Sequence, residues 1–222
     1  MNTRERILRQ VRTAANAELA AEDYARLPRA YAQHGTLSSD ERVALMIERL
    51  REYDAQVSEC APEKLDAVMT ETLAASGRRI LVSPPEFPTG WAISPAWKID
   101  DLEWTFDHWQ TGYGLSVKEI EQAEGVVTLA TCGIAESGTI VLHHSPKEGC
   151  RTLTLLPDWY LCVLYASQIV EVLPEYFARC AEPPRLATFI AGPSATADIE
   201  MTRVKGVHGP RFLNVIVVRD DT

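Results

Sequence analysis

Apolar residues recur at helical spacing three times in the first third of the chain and then give way to runs of strand length. Ile7, Leu8, Val11, Ala15 and Leu19 lie three or four apart while Arg4, Arg6, Arg9 and Arg12 fill the other faces, which predicts a helix over Thr3–Glu22. Leu27–Ser38, with Pro28 and Gly35, reads as a connector and as the candidate for mobility. Ser39–Tyr53 predicts a second helix: Ser38 or Ser39 opens it, Asp40 and Glu41 sit at its positive end, and Val43, Leu45, Met46, Ile47 and Leu50 carry the apolar positions. Asp54–Cys60 then reads as a short strand. Pro62–Ser76 follows as a helix opened by proline and closed by Gly77, and Arg79–Ser83 as a core strand. From 84 to 114 the pattern breaks into prolines, glycines and four of the five tryptophans (Trp91, Trp97, Trp104 and Trp109), suited either to a lid over a site or to a cover over a sheet face. Order resumes with a helix over Ser116–Ala123 and strands over Gly125–Thr131 and Thr139–His143, which bracket a small loop. Strand-like runs at Leu153–Leu156 and Leu161–Ala166 and a helix over Glu175–Cys180 behind Pro174 complete the middle of the chain.

The stretch Arg185–Val218 sets the expected architecture. Leu186–Ile190 and Phe212–Val218 read as buried strands, and Gly192-Pro193 cuts off the first. Between them Ser194 or Thr196 can cap a helix with Asp198 in its first turn, Arg203 and Lys205 in its last and Gly206 at its exit. Such a unit predicts a right-handed crossover between parallel strands, with the Gly192 turn at a strand's carboxyl end, where open sheets hold ligands. The expected fold is therefore a three-layer α/β domain over 39–222, its sheet mainly parallel with helices on both faces, preceded by a helical arm and connector over 1–38.

Charge and cysteine usage narrow the function classes. The 222 residues are 46% hydrophobic and carry a formal net charge of -9, with a pI near 5.1. That balance disfavours a nucleic-acid binder, which needs a basic face. No apolar run approaches the roughly 20 residues that span a bilayer, so a cytoplasmic protein is expected. Cys60, Cys132, Cys150, Cys162 and Cys180 are odd in number and form no C-x-x-C pair, which argues against a disulfide framework or a local zinc or iron–sulfur site. They are expected as buried thiols, Cys132 being the candidate exception. His143 and His144 end a strand on opposite faces, a poor chelate, so no metal site is expected. Open sheet edges make a homodimer plausible.

Three clusters could carry chemistry. Gly192, Pro193, Ser194, Thr196 and Asp198 form a turn and helix start that can seat a carboxylate or phosphate on free N–H groups and hydroxyls, or simply a well-capped helix. His208, between glycine turns, is a candidate general acid or base, or else a scaffold residue; the crossover places it across the sheet from the Gly192 turn. Gly133, Glu136, Ser137, Gly138 and Thr139 form a glycine-bracketed loop in which Glu136 could be a base, a nucleophile or a loop cap.

Four phrases resemble the LUD domain of the lactate utilization protein C family: GIAESGTIVL at Gly133–Leu142, TLTLLPDWYLCVL at Thr152–Leu164, FIAGPSATADIE from Phe189 and VKGVHGP from Val204. The resemblance covers roughly the last half of the chain closely and the first half loosely. LUD domains are in turn similar in fold to the ribose-phosphate isomerase and CoA transferase superfamily, some members of which use a glutamate in a glycine-rich loop, which points to Glu136 by analogy. The resemblance implies an accessory or binding subunit of a bacterial L-lactate oxidation system, with iron–sulfur clusters held by partner proteins, because this chain brings no cluster ligands of its own. Two alternatives stand beside it: an acyl-CoA or sugar-phosphate processing enzyme using Glu136, and a regulator that binds a hydroxy acid without turnover.

Overall fold

In the computed structural model the described residues are 2–15, 26–78, 81–84, 86–87, 117–182, 184–196, 204–206 and 208–220. The chain forms two compact units, Met1–Ala32 and Gln33–Thr222. In the first, helix α1 spans Thr3–Ala15. Asn2 and Glu5 cap it reciprocally, each side chain accepting the other's backbone N–H at 2.9–3.0 Å. The rest of the helix predicted to Glu22 and nearly all of the tryptophan-rich stretch lie outside the described residues.

The second unit is built on a five-stranded sheet of β1 (Gln56–Cys60), β2 (Leu81–Val82), β3 (Gly125–Leu129), β6 (Trp159–Tyr165) and β11 (Phe212–Val218). The order across it is β1-β11-β6-β3-β2, and every neighbouring pair is parallel. Strand alternation divides the core in two. On one face Tyr160, Cys162, Leu164, Leu213, Val215 and Val217 pack with Val43, Met46 and Leu50 of α2 (Ser39–Glu52). On the other, Leu161, Val163, Ile216 and Val218 meet Leu65, Met69 and Leu73 of α3 (Leu65–Ser76), which gives the expected three layers. Helix α2 begins at a full capping box, Ser38 with Glu41. Helix α4 (Val117–Gln122) precedes β3.

A second, four-stranded sheet lies on the α2 side, in the order β7-β4-β5-β8: β4 is Cys132–Ile134, β5 Thr139–Leu142, β7 Ile169–Val170 and β8 Thr188–Ala191. Its Ile140 and Leu142 join the α2-side core. Three features of the expected architecture are corrected here. Strand β8 pairs antiparallel with β5, Thr139 opposite Ala191, and is not a parallel partner of β11. Its burial explains why: Thr188 and Ile190 are half-buried while Phe189 and Ala191 are exposed, the one-sided pattern of an antiparallel edge strand. Nor do the ends of the expected crossover helix lie a helix length apart. Strands β9 (Ala195–Thr196) and β10 (Val204–Lys205) pair antiparallel, Lys205 opposite Ala195, whereas ten helical residues would hold those ends about 15 Å apart. Finally, the apolar run at Leu153–Leu156 is largely the short helix α5 (Arg151–Leu155), with Leu153 buried. An apolar run of that length does not by itself distinguish strand from helix.

The connector before α2 is clamped at its end by two carboxylates. Glu171 Oε2 accepts the N–H groups of Thr36 (2.6 Å) and Leu37 (2.7 Å), and Glu175 Oε1, on α6 (Leu173–Arg179), accepts that of Gly35 (3.0 Å). Burial works against the charge on Glu175, yet the N–H groups of Gly35, Val172 and Glu171 together hold its carboxyl below the usual range. No helix among the described residues is long and apolar enough to cross a membrane.

Candidate functional site

Replacing the crossover by a hairpin brings two predicted clusters together. The Ser194 N–H donates to the Pro210 carbonyl at 2.9 Å, its carbonyl accepts from the Gly206 N–H at 3.0 Å, and its Oγ accepts from the His208 N–H at 2.9 Å. His208 is therefore beside the Gly192–Ser194 turn and not across the sheet from it. The same bonds use the Ser194 N–H internally, so that group is not free for an anion, although the hydroxyl keeps its own proton to donate. Gly192 has φ +82°, and a Cβ there would meet the Cβ of Tyr53 at 2.5 Å. Glycine is thus required twice, by conformation and by the close approach to α2.

This turn is one wall of a cavity of about 300 Å³. Thr188 to Gly192 run along it, Arg151 and Thr154 of α5 face it, His208 to Pro210 close it, and Tyr160 and Leu213 line it from the large sheet. Tyr160 and Leu213 are second in their strands, so the cavity lies at the amino-terminal edge of the parallel sheet, the opposite edge from that expected. Burial drives the Tyr160 hydroxyl well above its usual pKa. Thr128 Oγ1 gives its proton to the Leu129 carbonyl and stands 2.7 Å from the Tyr160 hydroxyl, which is therefore the donor between them. Arg151 is exposed, and its guanidinium has no hydrogen-bond or ion-pair partner among the described residues, so it can take an anion. Next to Pro210, Arg211 forks onto Asp158 at 2.6 and 2.9 Å, tying the loop after His208 to the residue before β6. That pairing, aided by Arg78, holds the Asp158 carboxyl below the usual range against some burial.

The remaining predicted residues are elsewhere. Glu136 and Ser137 are exposed on a 3-10 turn, Ala135–Ser137, closed by Gly138 at φ +59°. The Glu136 N–H donates to the Glu171 carbonyl, and Ser137 Oγ lies 2.8 Å from Thr139 Oγ1. The turn sits close to the bend at Gly192, because Thr139 pairs with Ala191, but none of its residues lines the cavity. Gly133 is buried, and a Cβ there would meet Leu164 Cδ2 at 2.9 Å, so its place is in the core packing. Asp198 lies outside the described residues, and Thr196 is placed only through its pairing with Val204. Burial pushes the Cys132 thiol up to about 11, with Cys180 and Glu175 adding to the rise, far from a reactive thiolate.

Sequence reasoning missed the turn behind the cavity. Glu148 is 1% exposed, and its Oε2 accepts from the N–H of His143 (3.0 Å), the N–H of Ser145 (3.0 Å) and Ser145 Oγ (2.9 Å), while Thr131 Oγ1 donates to Oε1. The signal was present in Ser145-Pro-Lys-Glu148, which has the Ser-x-x-Glu spacing of a capping box. The two histidines go to different partners. His143 Nε2 meets the Tyr176 hydroxyl at 2.8 Å, whereas His144 reaches Thr188 of the cavity wall. Among the described residues no group of three His, Cys, Asp or Glu side chains is placed to hold a metal ion.

A parallel five-stranded sheet backed by a smaller mixed sheet, with a cavity where the two meet, is a three-layer α/β domain of definite type. The chain belongs to the LUD domain family, whose model matches residues 43–218. It is 34% identical to "Lactate utilization protein C" of Deinococcus radiodurans, over 93% of this chain and 92% of that protein. It is 32% identical to the protein of the same name from Halalkalibacterium halodurans, covering 82% and 81% respectively. Among solved structures it is similar to the crystal structure of a DUF162 family protein from Deinococcus radiodurans, with a TM-score of 0.60 and 28% identity over 82% of this chain and 99% of that one.

Proposed function

We propose that this chain is a binding subunit in bacterial L-lactate utilization, that it holds a small carboxylate in the cavity between the sheets, and that it works with iron–sulfur partner proteins that supply the redox chemistry. The observation that carries the reading is the Arg151 guanidinium, without a partner among the described residues, facing a cavity of about 300 Å³, the lower end of the range for small-molecule sites. The names of the relatives make lactate the first ligand to test. In this reading Arg151 takes the carboxylate, and the Ser194 hydroxyl and His208, beside each other at the turn, complete the polar wall. Glu136 lies outside the cavity lining, so the geometry favours this reading over one in which Glu136 attacks an acyl group.

Titration of the purified chain with L-lactate by calorimetry tests the proposal directly. Arg151→Met is expected to weaken binding by about tenfold or more, the worth of one hydrogen bond to a charged group. Equal affinities for wild type and variant would remove Arg151 from the site. Unimpaired growth on L-lactate after deletion of the gene, in a strain with no other lactate dehydrogenase, would remove the pathway assignment.

A further inference from the structure

His144 stands out among the described residues on two independent grounds. It is one of two non-glycine residues among them with positive φ, at 56°, a conformation that side chains with a Cβ rarely adopt. That backbone turn also aims its ring at the cavity wall. Nδ1 lies 3.0 Å from the Gly149 carbonyl oxygen and Nε2 lies 2.7 Å from Thr188 Oγ1. A carbonyl can only accept, so Nδ1 carries a proton; in the neutral ring Nε2 is then a bare acceptor, and Thr188 must give it the hydroxyl proton. A hydroxyl has one proton to give. Thr188, which lines the cavity, therefore presents only lone pairs to whatever binds there.

We propose that Thr188, polarised by His144, reads the second carbon of the bound carboxylate and selects a 2-hydroxy acid over the corresponding 2-oxo acid. This inference rests on the cavity being the seat of a small carboxylate. A 2-hydroxy acid brings an O–H that can donate to Thr188 Oγ. A 2-oxo acid brings only an acceptor oxygen, which would face the lone pairs of Thr188 with no proton between them. Arg151 serves the carboxylate of either compound, so the discrimination falls on a single hydrogen bond. Sites built around a substrate hydroxyl reject analogues lacking it because their own polar group is left unpaired. The spacing of the pair is that of a nucleophile and its base, but no reacting bond is needed for the role assigned here.

The test is calorimetry on the full chain with L-lactate, pyruvate and propionate in one mildly alkaline buffer. Propionate, with neither a hydroxyl nor an oxo group, reports the carboxylate seat alone. Wild type is expected to prefer lactate to pyruvate by about tenfold or more. Thr188→Ser, which keeps the hydroxyl, should hold that ratio, while Thr188→Val should bring it near one. His144→Asn, chosen because asparagine tolerates positive φ, frees the Thr188 proton to turn into the cavity and should shift the ratio toward pyruvate. A wild-type ratio at or below one, or an unchanged ratio in Thr188→Val, overturns the inference and leaves the carboxylate seat standing. Failure of wild type to bind any of the three overturns both.

Discussion

Removing the Glu148 carboxylate should be among the most damaging single changes in the second unit, for a reason that can be sized. The side chain is buried and its two oxygens accept four hydrogen bonds, two of them from backbone N–H groups, of His143 and Ser145. In Glu148→Ala the hydroxyls of Thr131 and Ser145 can rotate toward other acceptors, but the two amides cannot. Each buried donor left unpaired costs about 1–3 kcal/mol, and the vacated volume adds to this, so a loss of about 3–5 kcal/mol is expected. Glu148→Gln keeps the shape and one carbonyl oxygen. If that oxygen takes the Oε2 position, three donors stay satisfied and the new amide can donate to Thr131 Oγ1. What is lost is the charge assistance, about 1–2 kcal/mol.

Urea unfolding followed by circular dichroism measures both variants, with the midpoint shift read at constant slope. The expected order is wild type, then Gln, then Ala, with the Ala variant clearly the worse of the two. Equal losses for Gln and Ala would refute the argument, because it assigns most of the effect to stranded donors and only the smaller part to charge. A total loss under about 1 kcal/mol for Ala would refute it too, since that is less than one unpaired amide. The turn also carries His144 to Thr188, so the Ala variant, where it still folds, should lose discrimination between hydroxy and oxo acids.

Two further changes probe the frame of the cavity. Gly192→Ala forces a Cβ onto Tyr53 at 2.5 Å in a left-handed conformation, and should cost about 1–3 kcal/mol and lower the melting temperature by several degrees, as read by scanning calorimetry. An unshifted melt would mean that the turn relaxes away from α2 without penalty. Asp158 has a carboxyl lowered first by its hydrogen bonds to Arg211, so the stability it contributes is present above its unfolded pKa and is lost as pH falls through the lowered folded value. Asp158→Asn should therefore reduce stability at neutral pH and flatten the acid limb of the stability curve, and parallel acid limbs for the two proteins would contradict this.

Legibility in the sequence followed burial. Strand β11 was readable because five of its seven residues are buried, a pattern that only a strand covered on both faces requires. The register of α2 was equally plain, since apolar spacing, capping box and first-turn acids all agree there, and α3 kept its apolar spacing and its glycine exit at Gly77 behind a 3-10 turn at Pro62–Lys64. Phe189 misled for the opposite reason. It supplied apolar weight to a run taken as doubly buried, yet it is 45% exposed on an edge strand. Ser194 misled through its chemistry: a serine before a polar stretch reads as a helix cap, but its N–H, carbonyl and hydroxyl oxygen meet Pro210, Gly206 and His208, partners far enough along the chain that local pattern cannot announce them.

Those misreadings share a physical root that also locates the site. A crossover helix would have placed β8 and β11 in one sheet and driven the Gly192 turn and the His208 turn to opposite edges. The hairpin of β9 and β10 instead folds the chain back on itself, letting β8 close the small sheet while β11 enters the large one between β1 and β6. The cavity at the amino ends of β6 and β11 is lined by what the stretches on each side contribute there: Thr188 and Gly192 from one, Tyr160 and Leu213 from the other, with Arg151 from the helix that connects the two sheets. A cavity lined from two sheets has no single-segment signature, because its wall comes from stretches up to 62 residues apart in sequence, Arg151 to Leu213. Its chemistry is nevertheless constrained by residues outside it. The Gly149 carbonyl fixes the His144 tautomer, and that tautomer decides which way the hydroxyl of Thr188 points.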